Sequence, residues 1–174
     1  MAKLKPAVSD KDNIQGNTSA PVELVEYGDY ECPHCGRAYP IVKAIQEKMG
    51  DKLKFVFRNF PLAEIHPHAV NAAIATEAAA LQNKFWEMHD YIFEHQRRLD
   101  DASLIAYATH LQLDVQQFEN DFSKTELAQK VDDDFESGMR SGVNGTPSFF
   151  INGEKYNGNW EGEEFLDYLQ SLAK

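Results

Sequence analysis

The feature that most constrains the fold is a strand that runs into a helix across a pair of cysteines. "PVELVEY" (residues 21–27) alternates apolar and acidic side chains, which predicts a β-strand. After the break "GDYE", the apolar positions from Pro33 to Met49 follow helical spacing, and Gly50 ends the run. "KLKFVFRNF" (residues 52–60) predicts a second strand. These residues therefore favour a right-handed β-α-β unit with two parallel strands.

The middle of the chain predicts a helical insertion into this sheet. Residues 63–139 are rich in helix formers and in helical apolar spacing, and roughly 80 residues are too many for a loop. "SFFI", an Asn152-Gly153 turn and a returning strand then predict a β-hairpin, and a last amphipathic helix closes the chain. We therefore expect an α/β domain from residues 21–62 and 140–174, an all-helical subdomain from 63–139, and a polar, disordered tail at 1–20.

Charge excludes two classes of partner. The chain has 17 Lys and Arg against 28 Asp and Glu, a net charge of −11. Nucleic-acid binding and binding to anionic membrane surfaces both need a basic face, so neither is expected. No apolar run reaches the ~18 residues of a membrane-spanning helix, so no membrane insertion is expected. The N-terminus also lacks the apolar stretch of a signal peptide. We expect a cytoplasmic protein, or a periplasmic one if a leader has been removed.

Cys32 and Cys35 are the only cysteines, and their spacing is compatible with three roles. A structural zinc site needs about four ligands; His66 and His68 could complete one, but their spacing matches no such site. A static disulfide over so short a loop removes little chain entropy and stabilises little. A C-x-x-C pair that opens a helix directly after a strand is typical of a redox-active dithiol. The sequence therefore favours redox chemistry over a metal site or a structural bridge.

The helix start explains how such a pair would work. The thiolate is the reactive form of cysteine, and free N–H groups and the helix dipole favour negative charge at Cys32. Pro33 suits the first helical position, where its missing N–H costs nothing. His34 is expected to donate a hydrogen bond or partial positive charge to the sulfur. We predict that Cys32 is the nucleophile and that Cys35, one turn further into the helix, resolves the mixed disulfide.

The chain resembles the DsbA-like thiol–disulfide oxidoreductases of the thioredoxin superfamily. The resemblance runs from about residue 21 to residue 174. It is carried by "VELVEYGDYECPHC", "FVFRNFPL", "KFWEMHDYIF" and "GVNGTPSFFINGEKYNG", and CPHC is the tetrapeptide associated with DsbA-type active sites. It implies a thioredoxin fold with an inserted helical subdomain. It also implies exchange with protein thiols or disulfides and recycling by an unidentified redox partner. No cofactor is expected, because the cysteines carry the electrons.

The resemblance also implies roles for residues outside the tetrapeptide. Thr146-Pro147 falls where the family places a cis-proline loop that binds an extended substrate segment beside the cysteines. Glu26, on the first strand, falls where thioredoxin-like proteins often bury an acid that relays protons to the second cysteine. Lys54 or Arg58 could pair with it. An outward-facing Glu26 on an alternating strand remains the alternative.

One departure bears on the redox poise. Asp29 and Glu31 flank Cys32, and carboxylates near the sulfur would oppose its thiolate. We therefore expect a potential more reducing than that of strongly oxidising relatives.

Two other functions stay open from the sequence. One is a reductase or transferase that acts on glutathione or another small thiol with the same scaffold. The other is a chaperone-like binding module whose cysteines are incidental.

Overall fold

The computed structural model describes residues 1–174. Its elements follow the chain in the order β1 (Asn13–Gly16), β2 (Val22–Gly28), α1 (Pro33–Met49), β3 (Leu53–Asn59), α2 (Ala69–Ala80), α3 (Phe85–Glu94), α4 (Asp101–His110), α5 (Val115–Phe122), α6 (Thr125–Arg140), β4 (Ser148–Ile151), β5 (Glu154–Lys155) and α7 (Glu163–Leu172). None of the helices combines the length and the apolar character that crossing a bilayer requires.

The five strands form one mixed sheet in the order β1-β3-β2-β4-β5. β2 and β3 run parallel, as the β-α-β pattern predicts, and the other neighbouring pairs are antiparallel. β2 lies at the centre and is buried on both faces, so Val25 and Tyr27 are as inaccessible as Leu24. The alternating pattern of β2 therefore separates two buried faces rather than a buried face and a wet one.

Helices α2–α6 stand between β3 and β4 in the sequence and share a core with the sheet. α2 is rich in alanine and is buried almost all round, because small side chains let α3, α5 and α6 pack closely against it. One apolar cluster joins residues of these helices to α1 and to strand residues such as Phe55, Phe57 and Phe149. The predicted division into 21–62 plus 140–174 and 63–139 stays a prediction; this cluster contains residues of both parts.

The N-terminal residues correct one expectation: residues 1–20 are not a disordered tail. β1 pairs antiparallel with β3 and covers its open edge. Asp12 binds the guanidinium of Arg58 through both carboxylate oxygens, at 2.8 and 3.0 Å. Leu4 is buried in a second, smaller apolar cluster, whose other members are Val25, Tyr27, Val56, Phe60, Val143 and Phe150. The segment has little apolar periodicity because backbone pairing and one buried ion pair hold it, and neither leaves a pattern in sequence.

We predict that Asp12→Ala lowers the free energy of unfolding by about 3–5 kcal/mol, because it leaves a buried guanidinium without its counter-charge. Arg58 is 2% exposed and Asp12 7% in this pair. Urea denaturation of the variant and wild type measures the loss. Asp10→Ala, at an exposed position two residues upstream, is the control and should change stability by less than about 0.5 kcal/mol. Equal effects of the two substitutions would contradict the assignment.

Candidate active site

The site lies where α1 begins. Cys32 occupies the N-cap position with extended backbone (φ −71°, ψ 124°), and no side chain caps the helix there. Pro33 is the first helical residue, and the first turn contains no acidic side chain. The free N–H groups of this turn are therefore left to the sulfur of Cys32. Cys32 is only 3% exposed, and Cys35 is fully buried beneath it.

The surroundings of Cys32 favour its thiolate and lower its pKa to about 5. The largest cause is a hydrogen bond from the Cys35 thiol, and the backbone N–H groups of Cys35 and His34 add to it. Burial acts in the opposite direction but is outweighed. Hydrogen bonds from Cys35 and His34 therefore favour the predicted anion at the start of α1.

Thr146 and Pro147 lie beside this sulfur, in the loop that precedes β4. The Thr146 carbonyl oxygen is 3.7 Å from Cys32 Sγ, and the Thr146–Pro147 peptide bond is cis. The Thr146 hydroxyl also favours the thiolate, but Oγ1 has no hydrogen-bond partner of regular geometry. The hydroxyl therefore acts on the sulfur as a nearby dipole rather than through a formed hydrogen bond. The fold brings together residues that are more than a hundred positions apart in sequence.

Cys35 is arranged in the opposite way. Burial raises its pKa well above the ordinary value, and its bond to Cys32 and the charge of Glu26 add to the increase. The N–H of Asp29 donates to its sulfur at 3.4 Å. The two sulfurs therefore differ in their tendency to ionise: the surroundings favour the proton on Cys35 and the thiolate on Cys32.

Glu26 is buried, not outward-facing. It is 3% exposed, and its Oε2 atom has no hydrogen-bond partner. Burial and the negative charge of Cys32 raise its pKa to about 8. Neither expected partner reaches it, because Lys54 pairs with Glu23 and Arg58 pairs with Asp12. An unpaired carboxyl of this kind can accept and return a proton near neutral pH.

The His34 ring does not contact the cysteine sulfur. Its Nδ1 atom accepts a hydrogen bond from the Arg37 guanidinium at 2.6 Å, on the exposed side of α1. His34 acts on Cys32 through its backbone N–H instead. The ring thus has a partner three residues along the helix, and the role expected for His34 stays a prediction.

Asp29 and Glu31 also differ from expectation, because both turn toward backbone donors. Asp29 accepts hydrogen bonds from the N–H groups of Glu31, Cys32 and Leu62 and lies 2.8 Å from His66 Nδ1. Glu31 accepts the N–H of His68 at 2.9 Å. The two carboxylates therefore bind the residue 62–68 loop to the active-site loop. His66 and His68 take part in this arrangement.

One contact of the site leaves no signal in the sequence. Gln96 lies in the connection between α3 and α4, and its Nε2 atom donates to the carbonyl oxygens of Tyr30 and Cys32 at 2.9 and 3.0 Å. Nothing about an isolated glutamine in a polar loop indicates that it reaches a helix more than sixty residues upstream.

Known proteins share the fold of this chain. The sequence profile of the family described as thioredoxin matches residues 9–171. This chain belongs to the thioredoxin family. BdbD from Bacillus subtilis superposes on it with a TM-score of 0.85 at 23% identity, covering 99% of this chain and 98% of BdbD. A thioredoxin-like oxidoreductase from Silicibacter pomeroyi gives 0.83 at 24% identity, over 94% and 92% of the chains. The predicted thioredoxin fold with inserted helices is confirmed.

Curated relatives add a different context for this thioredoxin-family chain. A protein named Na(+)/H(+) antiporter NhaA 1 from Mycolicibacterium vanbaalenii is 39% identical over 170 residues, which are 97% of this chain and 28% of the antiporter. Na(+)/H(+) antiporter NhaA 3 from Salinispora tropica is 42% identical over 155 residues, 88% of this chain and 23% of that protein. The chain thus spans about a quarter of the length of these relatives.

We predict that Glu26→Gln makes the folded protein more stable at pH 8–9 and leaves it unchanged near pH 4. The folded carboxyl keeps its proton up to about pH 8, whereas the unfolded one ionises near its ordinary value of 4.5. Stability therefore falls as pH rises between these values, by a few kcal/mol in total at about 1.4 kcal/mol per unit. Urea midpoints of both proteins across pH 4–9 measure the difference. Parallel curves would contradict a buried, protonated Glu26.

Proposed function

We propose that the protein is a thiol–disulfide oxidoreductase that exchanges disulfides with protein substrates through Cys32 and Cys35. One observation supports this more than any other: the two sulfurs sit in opposite environments at one helix start. Cys32 has a pKa lowered to about 5, whereas burial raises that of Cys35 well above its usual range. A structural pair needs no such difference, but a nucleophile and its resolving partner do.

The chemistry proceeds in two exchanges. The Cys32 thiolate attacks one sulfur of a substrate disulfide; a bond forms between Cys32 Sγ and that sulfur, and the other substrate sulfur leaves as a thiolate. In this mixed disulfide Cys32 no longer carries the negative charge that helps to raise the Glu26 pKa, so Glu26 ionises more readily. Cys35 then gives its proton to the ionised Glu26 carboxylate, and the Cys35 thiolate attacks Cys32 Sγ. This forms the Cys32–Cys35 disulfide and releases the second substrate thiolate. The reverse sequence donates the disulfide to a reduced substrate.

Access to Cys32 favours an extended peptide as substrate. The Thr146 carbonyl faces the sulfur, and the adjoining surface groove is lined by the 144–149 loop together with Lys155, Tyr156 and Trp160. Backbone groups at such a loop can pair with an extended segment as a strand would. A small thiol would gain little from an open groove, since small ligands prefer enclosed pockets.

Trapping separates this proposal from its alternatives. We expect Cys35→Ser to accumulate a mixed disulfide with a protein substrate such as insulin, because nothing resolves the intermediate. Cys32→Ser should reduce insulin at the background rate only. Non-reducing gels and an insulin turbidity assay measure the two effects. Reduction of glutathione disulfide in preference to insulin would favour the small-thiol enzyme. Full activity of Cys32→Ser in a refolding assay would favour the binding module.

The thiolate also predicts the redox poise. Thioredoxin combines a cysteine pKa of about 7 with about −270 mV, and DsbA combines about 3.5 with about −120 mV. A Cys32 pKa of about 5 predicts an intermediate potential, roughly −200 mV. Equilibration with glutathione buffers and acid quenching measures it. A potential below about −270 mV would contradict the assignment of Cys32 as a stabilised thiolate.

The antiporter relatives suggest one candidate partner. Sequences 39–42% identical to this chain form part of proteins named Na(+)/H(+) antiporters, which supports a redox role next to such a transporter. The Cys35→Ser variant, incubated with vesicles that contain an NhaA-type antiporter, should then capture it as a mixed disulfide. Adducts with soluble proteins alone would reject this partner and leave the oxidoreductase proposal intact. A cytoplasmic location, expected from the sequence, remains a prediction.

A further inference from the structure

The Cys32 carbonyl is held from outside its own helix. It accepts the N–H of Gly36 at 3.1 Å, the first hydrogen bond of α1, and Nε2 of Gln96 at 3.0 Å. The same Nε2 atom donates to the Tyr30 carbonyl at 2.9 Å. One side-chain amide therefore binds both carbonyls that flank Glu31, directly before the helix. Gln96 belongs to the segment between α3 and α4, so this contact joins the inserted helices to the active-site loop.

The chain makes room for this amide at Gly36. A Cβ atom there would lie 2.1 Å from Gln96 Oε1 and 2.8 Å from its Cδ, far inside contact distance. The segment that carries Gln96 is itself fixed on its C-terminal side. Leu99 is buried there, and the Tyr107 hydroxyl donates to the Arg98 carbonyl. The Gln96 amide thus packs against the first turn of α1, and the segment between α3 and α4 that carries it is held in place by these contacts.

The Cys32–Pro33 peptide gives this contact its importance. Proline has no N–H, so the carbonyl oxygen is the only hydrogen-bonding atom that can orient this peptide plane. The plane in turn aims the N–H groups of His34 and Cys35, which support the Cys32 thiolate. Losing one of two hydrogen bonds to that oxygen would let the plane rock and would weaken both donors.

We propose that Gln96 is a positioning residue for Cys32: its amide holds the Cys32–Pro33 peptide in the orientation that presents the helix N–H groups to the sulfur. This inference rests on the proposed function, because it assigns Gln96 to the same exchange reaction. The reactivity of the sulfur then depends on where the inserted helices sit against α1.

Replacement of the amide tests the proposal directly. Gln96→Glu keeps the size of the side chain but cannot donate from a carboxylate, and Gln96→Ala removes the group. We expect both to raise the Cys32 pKa by about half a unit or more, roughly a threefold change in the ionisation constant. Absorbance of the thiolate near 240 nm against pH measures the pKa, and the rate of insulin reduction at pH 5–6 should fall with the thiolate fraction.

Gln82 supplies a matched control. Its amide also bridges two connections, donating to the Asp114 carbonyl at 3.1 Å and accepting the Asp114 N–H at 2.8 Å, and it contacts no active-site residue. Gln82→Ala and Gln82→Glu should shift the urea midpoint without moving the Cys32 pKa. The Gln96 variants could instead behave like this control, with a lower urea midpoint and an unchanged Cys32 pKa. In that case Gln96 only satisfies the two carbonyl groups, and the proposal is wrong.

Gly36→Ala gives a test that does not remove Gln96. The new methyl group would push the flexible end of Gln96 away, while alanine favours the helix more than glycine does. We expect the Cys32 pKa to rise as in Gln96→Ala. In the double variant with Gly36→Ala and Gln96→Ala, the pKa should rise no further than in either single variant. Additive shifts would overturn the shared mechanism. A wild type with the low Cys32 pKa but no exchange with insulin would reject the proposed function alone.

Discussion

The active site depends on one interaction, the hydrogen bonds that donors at the N-terminus of α1 make to the sulfur of Cys32. A helix leaves its first N–H groups unpaired, and here no side chain caps them. Pro33 starts the helix without an N–H group of its own, and the hydrogen bond from the Cys35 thiol is the largest cause of the lowered Cys32 pKa.

The acidic residues near Cys32 in sequence are all engaged by the fold, either through hydrogen bonds or through burial. Asp29 and Glu31 accept hydrogen bonds from backbone N–H groups and so join the active-site loop to the 62–68 loop. Glu26 lies on the buried strand β2, and its burial raises its pKa and so disfavours its ionised form. Two of the three carboxyl groups are thus stabilised by hydrogen bonds, and the third, Glu26, is favoured in its protonated form.

Rigidity around the cysteines comes from both the sheet and the inserted helices. The two share a core in which Phe57, Tyr30 and Phe93 pack around the buried His89 ring. The Tyr30 hydroxyl bonds His89 at 2.8 Å, and its carbonyl accepts the Gln96 amide. The residues directly before Cys32 are therefore fixed by the helical part of the chain as much as by the strand they leave.

Local pattern was enough to predict the strand-helix-strand unit, the hairpin, the inserted helices and the position of Cys32 at a helix start. Periodicity, turn residues and the position of proline all act over a few neighbouring residues. The resemblance placed Thr146-Pro147 and Glu26, which local pattern alone would have left as a turn and a surface acid. Packing alone decided that Asp12 and β1 order the N-terminus, that the His34 ring faces Arg37, and that Gln96 reaches the Cys32 carbonyl. Each of these depends on which of several possible partners a polar side chain meets, and that choice is made only when distant segments come into contact.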